Sequence, residues 1–318
     1  MTDAGPRIVF MGTPEFAVAS LRLLTEEGYD IAAVVTVADK PAGRGRKLTF
    51  SPVKEFALKA GLRVLQPEKL REPAFIAALR DTHADICVVV AFRMLPEEVW
   101  RLPALGTFNL HASLLPQYRG AAPINHAVMN GETRTGVTTF LIDREIDTGK
   151  ILLSKETFID PEETAGEVHD RLMEMGAALV SETVKGLAEK SLQPVQQVIT
   201  PGVVLKSAPK IFPADRVIDW NQPAIAVHNK IRGLSPHPGA VTEWNLAGLP
   251  VKLKLFRSRI SDEINSEPGR ISVKNKEQLF ISCGSGSVEI TELQPEGRKR
   301  MTAAEFLRGY NITGIKIL

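Results

Sequence analysis

The chain contains no apolar run near the roughly 18 residues that a membrane-spanning helix needs. Its start, MTDAGPRIVFMG, has no basic opening and no long apolar stretch, so no secretory signal is expected. Only two cysteines occur, Cys87 and Cys283, far apart and each among apolar neighbours. That excludes a disulfide framework and predicts reduced, buried thiols in a cytoplasmic protein. Two nucleotide signatures are missing as well. Gly12-Thr13-Pro14 does not begin a G-x-G-x-x-G fingerprint, and there is no G-x-x-x-x-G-K-[ST] loop. Nicotinamide and nucleotide-triphosphate chemistry therefore lose their usual phosphate cradles. Glu167-Val168-His169 supplies neither H-E-x-x-H nor a cysteine pair, so no zinc site is expected. Ser113 sits in His-Ala-Ser-Leu-Leu rather than G-x-S-x-G, which argues against a serine hydrolase. Internal repeats and low-complexity tracts are absent too.

What is present is ordinary in bulk and uneven in charge. At 318 residues, 44% apolar and 24% charged, the chain can bury large cores and is expected to form two domains. From Lys206 onward 17 basic residues face 11 acidic ones, a net of +6. The first 205 residues hold the remaining 22 basic and 26 acidic of the chain's 39 and 37, a net of −4. A basic second domain beside an acidic first suggests a polyanionic partner, and a solvated surface with scattered lysines is the alternative.

Taken in order, Arg7 to Met11 reads as a strand, and Thr13 and Pro14 as the N-cap and first turn of a helix from Glu15 to Glu27. Ile31 to Val37 is the second strand. This βαβ opening predicts a mostly parallel sheet. Asp39 to Lys47 packs four basic residues among Gly and Pro, which predicts an open, positively charged loop. Ser51-Pro52 opens a helix, Arg63 to Leu65 and the apolar run Asp85 to Val90 are strands, and Arg71 to Asp81 is helical. Lys150 to Ile159 suits an edge strand, and Pro161-Glu162-Glu163 a helix start. Pro194, Pro201, Gly202, Pro209 and Pro213 break every pattern, predicting a linker over 193–213 between domains at 1–192 and 214–318. Five short strands then suggest a small β-barrel, and Thr302 with Glu305 a capping box opening a last helix.

The chain is organised around Gly106 to Gly149. Asn109 and His111 stand two apart on a strand and so leave the same face. A further strand, Val137 to Ile142, ends in an acidic turn carrying Asp147, so all three groups are expected at the carboxyl ends of two strands, the ligand edge of an open α/β sheet. A buried structural Asn–His–Asp network is one reading. The other is acyl transfer without a covalent enzyme intermediate, in which amide and imidazole stabilise an oxyanion and a carboxylate organises proton removal.

Asn109-Leu110-His111-Ala112-Ser113-Leu114-Leu115-Pro116, followed by Arg119-Gly120 and then Asp147-Thr148-Gly149, resembles the 10-formyltetrahydrofolate-dependent formyltransferases. The likeness extends to Phe10–Phe16, Lys40–Gly45 and Arg232–Gly239, and so covers nearly the whole chain. It implies a Rossmann-like α/β domain followed by a small OB-like barrel. It also implies transfer of a formyl group from 10-formyltetrahydrofolate to the amino group of methionyl-initiator tRNA. By the same resemblance Asn109 and His111 would polarise the formyl oxygen, and Asp147 would orient His111 and move protons through water. Ser113, Leu114, Leu115 and Pro116 would line the folate cleft, with the backbone of Phe92, Arg93 and Met94 and the loop around Asp143 holding the pterin. Phe16 would meet the methionyl side chain. Arg44, with Lys40, Arg46 and Lys47, would meet the acceptor end of the tRNA. No metal, DNA or membrane partner is implied, and a monomer is expected. Arg93 stands where the family often has Gly, and His237 where Trp is frequent. Rival readings are a formyl acceptor that is a nucleotide-linked amino sugar, a tRNA-binding protein on an inactive scaffold, and a formyl hydrolase.

Overall fold

Short apolar runs separated by amphipathic stretches give the expected opening of β1 (Ile8–Gly12), α1 (Glu15–Glu26) and β2 (Ile31–Val35). The computed structural model describes residues 5–42, 47–246, 249–262, 266–310, 312 and 317. Pro14, at φ −81° and ψ 176°, takes the N-cap position expected of Thr13, and no side chain caps the helix. The fixed φ of proline suits the position before the helix as well as the first turn; its extended ψ leaves it outside the helix, which starts at Glu15 as expected.

β3 (Lys40–Ala42) and β4 (Lys47–Thr49) pair antiparallel, with Lys40 opposite Thr49 and Ala42 opposite Lys47. The basic stretch expected as an open loop is thus a hairpin, because pairing of its flanks overrides the poor strand propensity of Lys, Pro and Gly. Its tip, with Arg44 and Arg46, lies outside the described residues, as do the side chains of Lys40 and Lys47. At the hairpin root the Asp39 carboxylate accepts from Lys54 Nζ at 2.5 Å and from Gln66 Nε2 at 2.8 Å. These bonds, the lysine's foremost, hold the Asp39 carboxyl below its ordinary range.

α2 (Pro52–Lys59) begins where the Ser51 hydroxyl accepts the Lys54 amide at 3.1 Å. There follow β5 (Val64–Leu65), α3 (Pro73–Arg80), β6 (Ile86–Val90), α4 (Glu97–Trp100), β7 (Thr107–His111), β8 (Arg119–Gly120), α5 (Pro123–Met129), β9 (Arg134–Leu141), β10 (Ile151–Phe158) and α6 (Ala165–Ala188). The strands order as β10-β9-β7-β6-β1-β2-β5. β5, β2, β1, β6 and β7 run parallel, and β9 runs antiparallel to β7. Every residue of β1 and β6 is buried, as both faces of a central parallel strand require. Burial pushes the Cys87 thiol on β6 up to about 12, so it stays uncharged at neutral pH.

α6 starts at Ala165, four residues later than expected, because the acidic Pro161–Glu163 stretch is a turn. Its start is a capping box: the Thr164 amide donates to the Glu167 carboxylate at 2.8 Å, and the Thr164 hydroxyl accepts the Glu167 amide at 3.3 Å.

Contacts divide the chain into two compact units, Met1–Gly120 with Gly136–Thr157 and His169–Lys206, and Ala121–Thr135 with Phe158–Val168 and Ser207–Leu318. Both are assembled from separated pieces. The first includes much of the stretch expected as a linker: Val195 exchanges two backbone hydrogen bonds of 2.8 Å with Ile151.

In the second unit β11 (Ser207–Ala208), a single 3-10 turn (Pro213–Arg216) and α7 (Ala224–Gly233) precede β12 (Ala240–Leu246), β13 (Leu249–Ser261), β14 (Ile271–Lys274), β15 (Gln278–Ser282), β16 (Ser287–Pro295), β17 (Met301–Thr302) and α8 (Ala303–Gly309). The antiparallel order is β12-β13-β16-β15-β14, with β17 on β16. β13 shifts register on both sides of Arg257, and such bulges bend a strand and increase its twist. The expected OB-like barrel is realised as a curled sheet, a half-barrel, around Trp244, Leu253, Leu255, Ile290 and Phe306.

α8 carries the expected capping box: Thr302 Oγ1 accepts the Glu305 amide at 3.3 Å, and the Thr302 amide donates to Glu305 at 2.8 Å. Thr302→Ala should cost about 1 kcal/mol of local helix stability, read as faster amide exchange across α8; unchanged exchange would deny the cap that role. Among the described residues no helix is long and apolar enough to cross a membrane, and no cluster could hold a metal ion.

Candidate active site

β7 decides which side of the sheet carries the chemistry. Leu110 points at α6, where residue 176 is Gly because a Cβ there would lie 2.7 Å from Leu110 Cδ2. Alternation sends Asn109 and His111 to the other face. Asn109 is half-buried and its side-chain amide makes no hydrogen bond to the described residues. His111 is 6% exposed, and its Nε2 lies 2.8 Å from the Tyr118 carbonyl oxygen. A carbonyl can only accept, so this partner assigns a proton to Nε2. Nδ1 is left facing Asp147, 3.8 Å from Oδ2. That gap is too long for a direct hydrogen bond.

Asp147 arrives by a route the sequence pattern did not suggest. Because β9 is antiparallel to β7, with Phe108 opposite Leu141 and His111 opposite Thr138, only β7 ends at the expected ligand edge. The loop after β9 must therefore travel back along β7 by three residues, about 10 Å at the rise of a strand. Asp143 Oδ1 begins this return by accepting the Glu145 amide at 3.1 Å and the Thr148 hydroxyl at 2.8 Å. Asp147 sits at φ +56°, a region costly for a side-chain-bearing residue. Gly149 is obligatory, since a Cβ there would fall 1.6 Å from the Leu141 carbonyl oxygen. Asp147 Oδ2 accepts the Gly120 amide at 2.9 Å.

The turn after β7 holds both partners. Thr138 Oγ1 donates to the Ser113 carbonyl at 2.7 Å and accepts the Leu115 amide at 3.3 Å. The Ser113 hydroxyl donates to the Gln117 carbonyl at 2.6 Å. Tyr118, at φ +59°, donates its amide to the Lys206 carbonyl at 2.7 Å. Three successive residues thus each touch the site: Tyr118 through its carbonyl on His111, Gly120 through its amide on Asp147, and Arg119 through its guanidinium on Gln197.

The remaining expected positions fall as follows. Ser113 is fully buried with its hydroxyl inside the turn, Leu115 is buried, and Leu114 and Pro116 keep some surface. Phe92 and Ile142 pack on one core cluster, which brings the 92–94 segment and the 143–149 loop to a common support. The Arg93 guanidinium donates through Nη2 and Nη1 to the carbonyls of Pro67 and Glu68 at 2.5 and 2.8 Å, while its buried Nε has no hydrogen-bond partner among the described residues. Phe16 is buried, its ring 5.2 Å from that of His169 and edge-on. Sequence reasoning missed Tyr118 and Gly120, which act through backbone atoms that carry no side-chain signal. It also missed Gln197, which lies where no periodicity marks it.

An open amide donor, an imidazole with one proton pinned and a carboxylate on one face can stabilise an oxyanion and relay a proton. The family description "Formyl transferase" matches residues 6–184, and "Formyl transferase, C-terminal domain" matches residues 210–311. The chain belongs to the formyl transferase family. Similar relatives carry a more particular name: a methionyl-tRNA formyltransferase of Bacteroides fragilis is 49% identical over 310 residues, covering 96% of each chain. One of Caldanaerobacter subterraneus is 46% identical, covering 96% of this chain and 97% of its own. Among solved structures, HypX from Aquifex aeolicus in complex with tetrahydrofolic acid shares the fold at TM-score 0.64 and 19% identity. That match covers 98% of this chain but 48% of HypX, so the chain spans about half the length of that protein. WlaRD, a sugar 3N-formyl transferase, shares the fold at TM-score 0.64 and 20% identity, covering 92% of this chain and 99% of its own.

Proposed function

We propose that the chain transfers the formyl group of 10-formyltetrahydrofolate to the α-amino group of methionyl-initiator tRNA. The observation that carries the reading is the convergence of His111 and Asp147, bracketed by Tyr118 and Gly120, beside Asn109 on one face of β7. Their types suit amine attack on an activated carbonyl.

The folate fits what the chain offers. Met94 and Ile146, one from each wall of the expected pterin site, are 69% and 63% exposed, and apolar side chains left so open suit the faces of a flat heterocycle. Leu114 and Pro116, both partly exposed in the turn after β7, offer further apolar surface. The donor supplies an N-formyl carbon: the amine lone pair forms the new C–N bond, the bond to folate N10 breaks, one proton leaves the amine and one reaches N10. Asn109 holds the formyl oxygen from its free amide, and His111 does so from Nδ1 when that atom bears a proton. Asp147 faces the imidazolium so formed and, through water, receives the proton lost by the amine. Phe16 would border the methionyl side chain.

Lys40, Arg44, Arg46 and Lys47 would meet the acceptor end of the tRNA, and the stretch from Lys206 onward, net +6, its phosphates. Arg44→Ala should slow formylation of charged tRNA while folate affinity stays the same; equal rates would return the hairpin to a solvated surface. The two free, buried thiols suit a reducing compartment, and we place the enzyme in the cytoplasm as a monomer. The deciding experiment offers labelled 10-formyltetrahydrofolate with charged initiator tRNA, charged elongator methionine tRNA and an amino-sugar nucleotide in parallel. Label on the initiator alone supports the reading, and label on the sugar overturns it.

A further inference from the structure

Gln197 comes from the Pro- and Gly-broken stretch after α6, yet it is only 9% exposed and both ends of its amide are occupied. Its Oε1 accepts from Arg119 Nε at 3.2 Å and Nη2 at 2.6 Å. Its Nε2 donates to the carbonyls of Asp147 and Gly149, each at 2.8 Å. The two amide hydrogens and both lone pairs of the oxygen are therefore used. Few side chains could replace it. A glutamate could accept from Arg119 but has no hydrogen for two carbonyls, and an asparagine is one methylene short.

The two carbonyls belong to Asp147 itself and to the glycine two residues on. Immediately before the first of these carbonyls the chain turns at Asp147, whose φ of +56° persists only when its surroundings enforce it. The other end of the same amide fixes Arg119, whose neighbours hold His111 and the Asp147 carboxylate. One buried side chain thus joins the two segments whose relative placement sets the 3.8 Å separation between His111 Nδ1 and Asp147 Oδ2. Asp143 and Thr148 stiffen the loop internally, and Arg144 ties it to Glu97 at 3.1 Å, but the arginine of that pair is exposed and screened by solvent.

We propose that Gln197 is a positioning residue for proton transfer, clamping the Asp147 loop to the Tyr118–Gly120 turn. The kinetic half of this proposal rests on the formyl-transfer reading above; the structural half does not. The test uses the full chain carrying Gln197→Glu, which keeps the bond to Arg119 and loses both carbonyl bonds, alongside the nearly isosteric, uncharged Gln197→Met. Amide exchange should quicken in both variants across 143–149 and stay at wild-type rates in the sheet and the second unit. In single-turnover formylation kcat should fall about 10²-fold, the scale of a misplaced catalytic group, with KM for charged tRNA unchanged. Wild-type exchange over 143–149 in either variant overturns the clamp. A loosened loop with undiminished kcat overturns the positioning role, and faster exchange throughout the chain reduces Gln197 to a structural residue. If the wild-type enzyme formylates none of the acceptors, the formyl-transfer reading fails, and the exchange data alone still decide the clamp.

Discussion

Asp147→Asn is expected to lower kcat by about 10²–10⁴-fold, the range for losing a positioned acid–base group, with little change in fold or in tRNA affinity. Asparagine is the informative replacement for three reasons. It is among the few residues that accept a positive φ, so the backbone at +56° should survive. Its side-chain oxygen can still accept the Gly120 amide, now 2.9 Å from the carboxylate. It removes only the charge facing His111 Nδ1 and the capacity to take a proton. Single-turnover formylation at saturating folate and tRNA, with folate affinity measured separately, would read the loss. A variant within threefold of wild type would reduce Asp147 to a loop-holding residue.

The second large effect is expected on β7. Asn109→Ala and His111→Ala should each lower kcat by about 10²–10³-fold, the usual cost of removing one oxyanion donor. The two should differ in stability. Asn109 makes no side-chain hydrogen bond to the described residues, so its truncation strands no partner among them. His111→Ala removes the buried imidazole that donates to the Tyr118 carbonyl at 2.8 Å, so it should be the less stable of the two and rates must be compared well below the unfolding transition. If both groups hold one oxygen, the double variant should lose less than the product of the single losses. Strict multiplicativity would show that they act on different atoms.

Much of the framework could be read from local pattern because local physics fixes it. The apolar runs of β1 and β6 announce strands buried on both faces, and Thr302 with Glu305 announces a helix start. Thr164 and Glu167 have the same spacing and mark the start of α6, though the acidic residues just before them imitate a helix start. Asn109 and His111 could be paired on one face from a spacing of two. What stayed hidden depends on partners distant in sequence. No local pattern states that β9 runs antiparallel to β7, and that direction determines how the Asp147 loop must return. Lys47 to Thr49 look like loop until their pairing with Lys40 to Ala42 is known. Gln197 is unremarkable as a residue and acquires meaning only against Arg119, 78 positions earlier.

That separation also has a consequence in time. The chain is made from its N-terminus, and at about 5–20 residues per second Gln197 is added roughly 4–16 s after Arg119, with Lys206, the acceptor of the Tyr118 amide, later still. A nascent chain that has completed β7, β9 and most of α6 already contains Asn109, His111 and Asp147 but lacks the clasp that holds the last two in register. On the roles proposed for these residues, catalytic competence is deferred until the segment beyond α6 has emerged and docked, and an unfinished polypeptide carries Asn109, His111 and Asp147 without the Gln197 clamp.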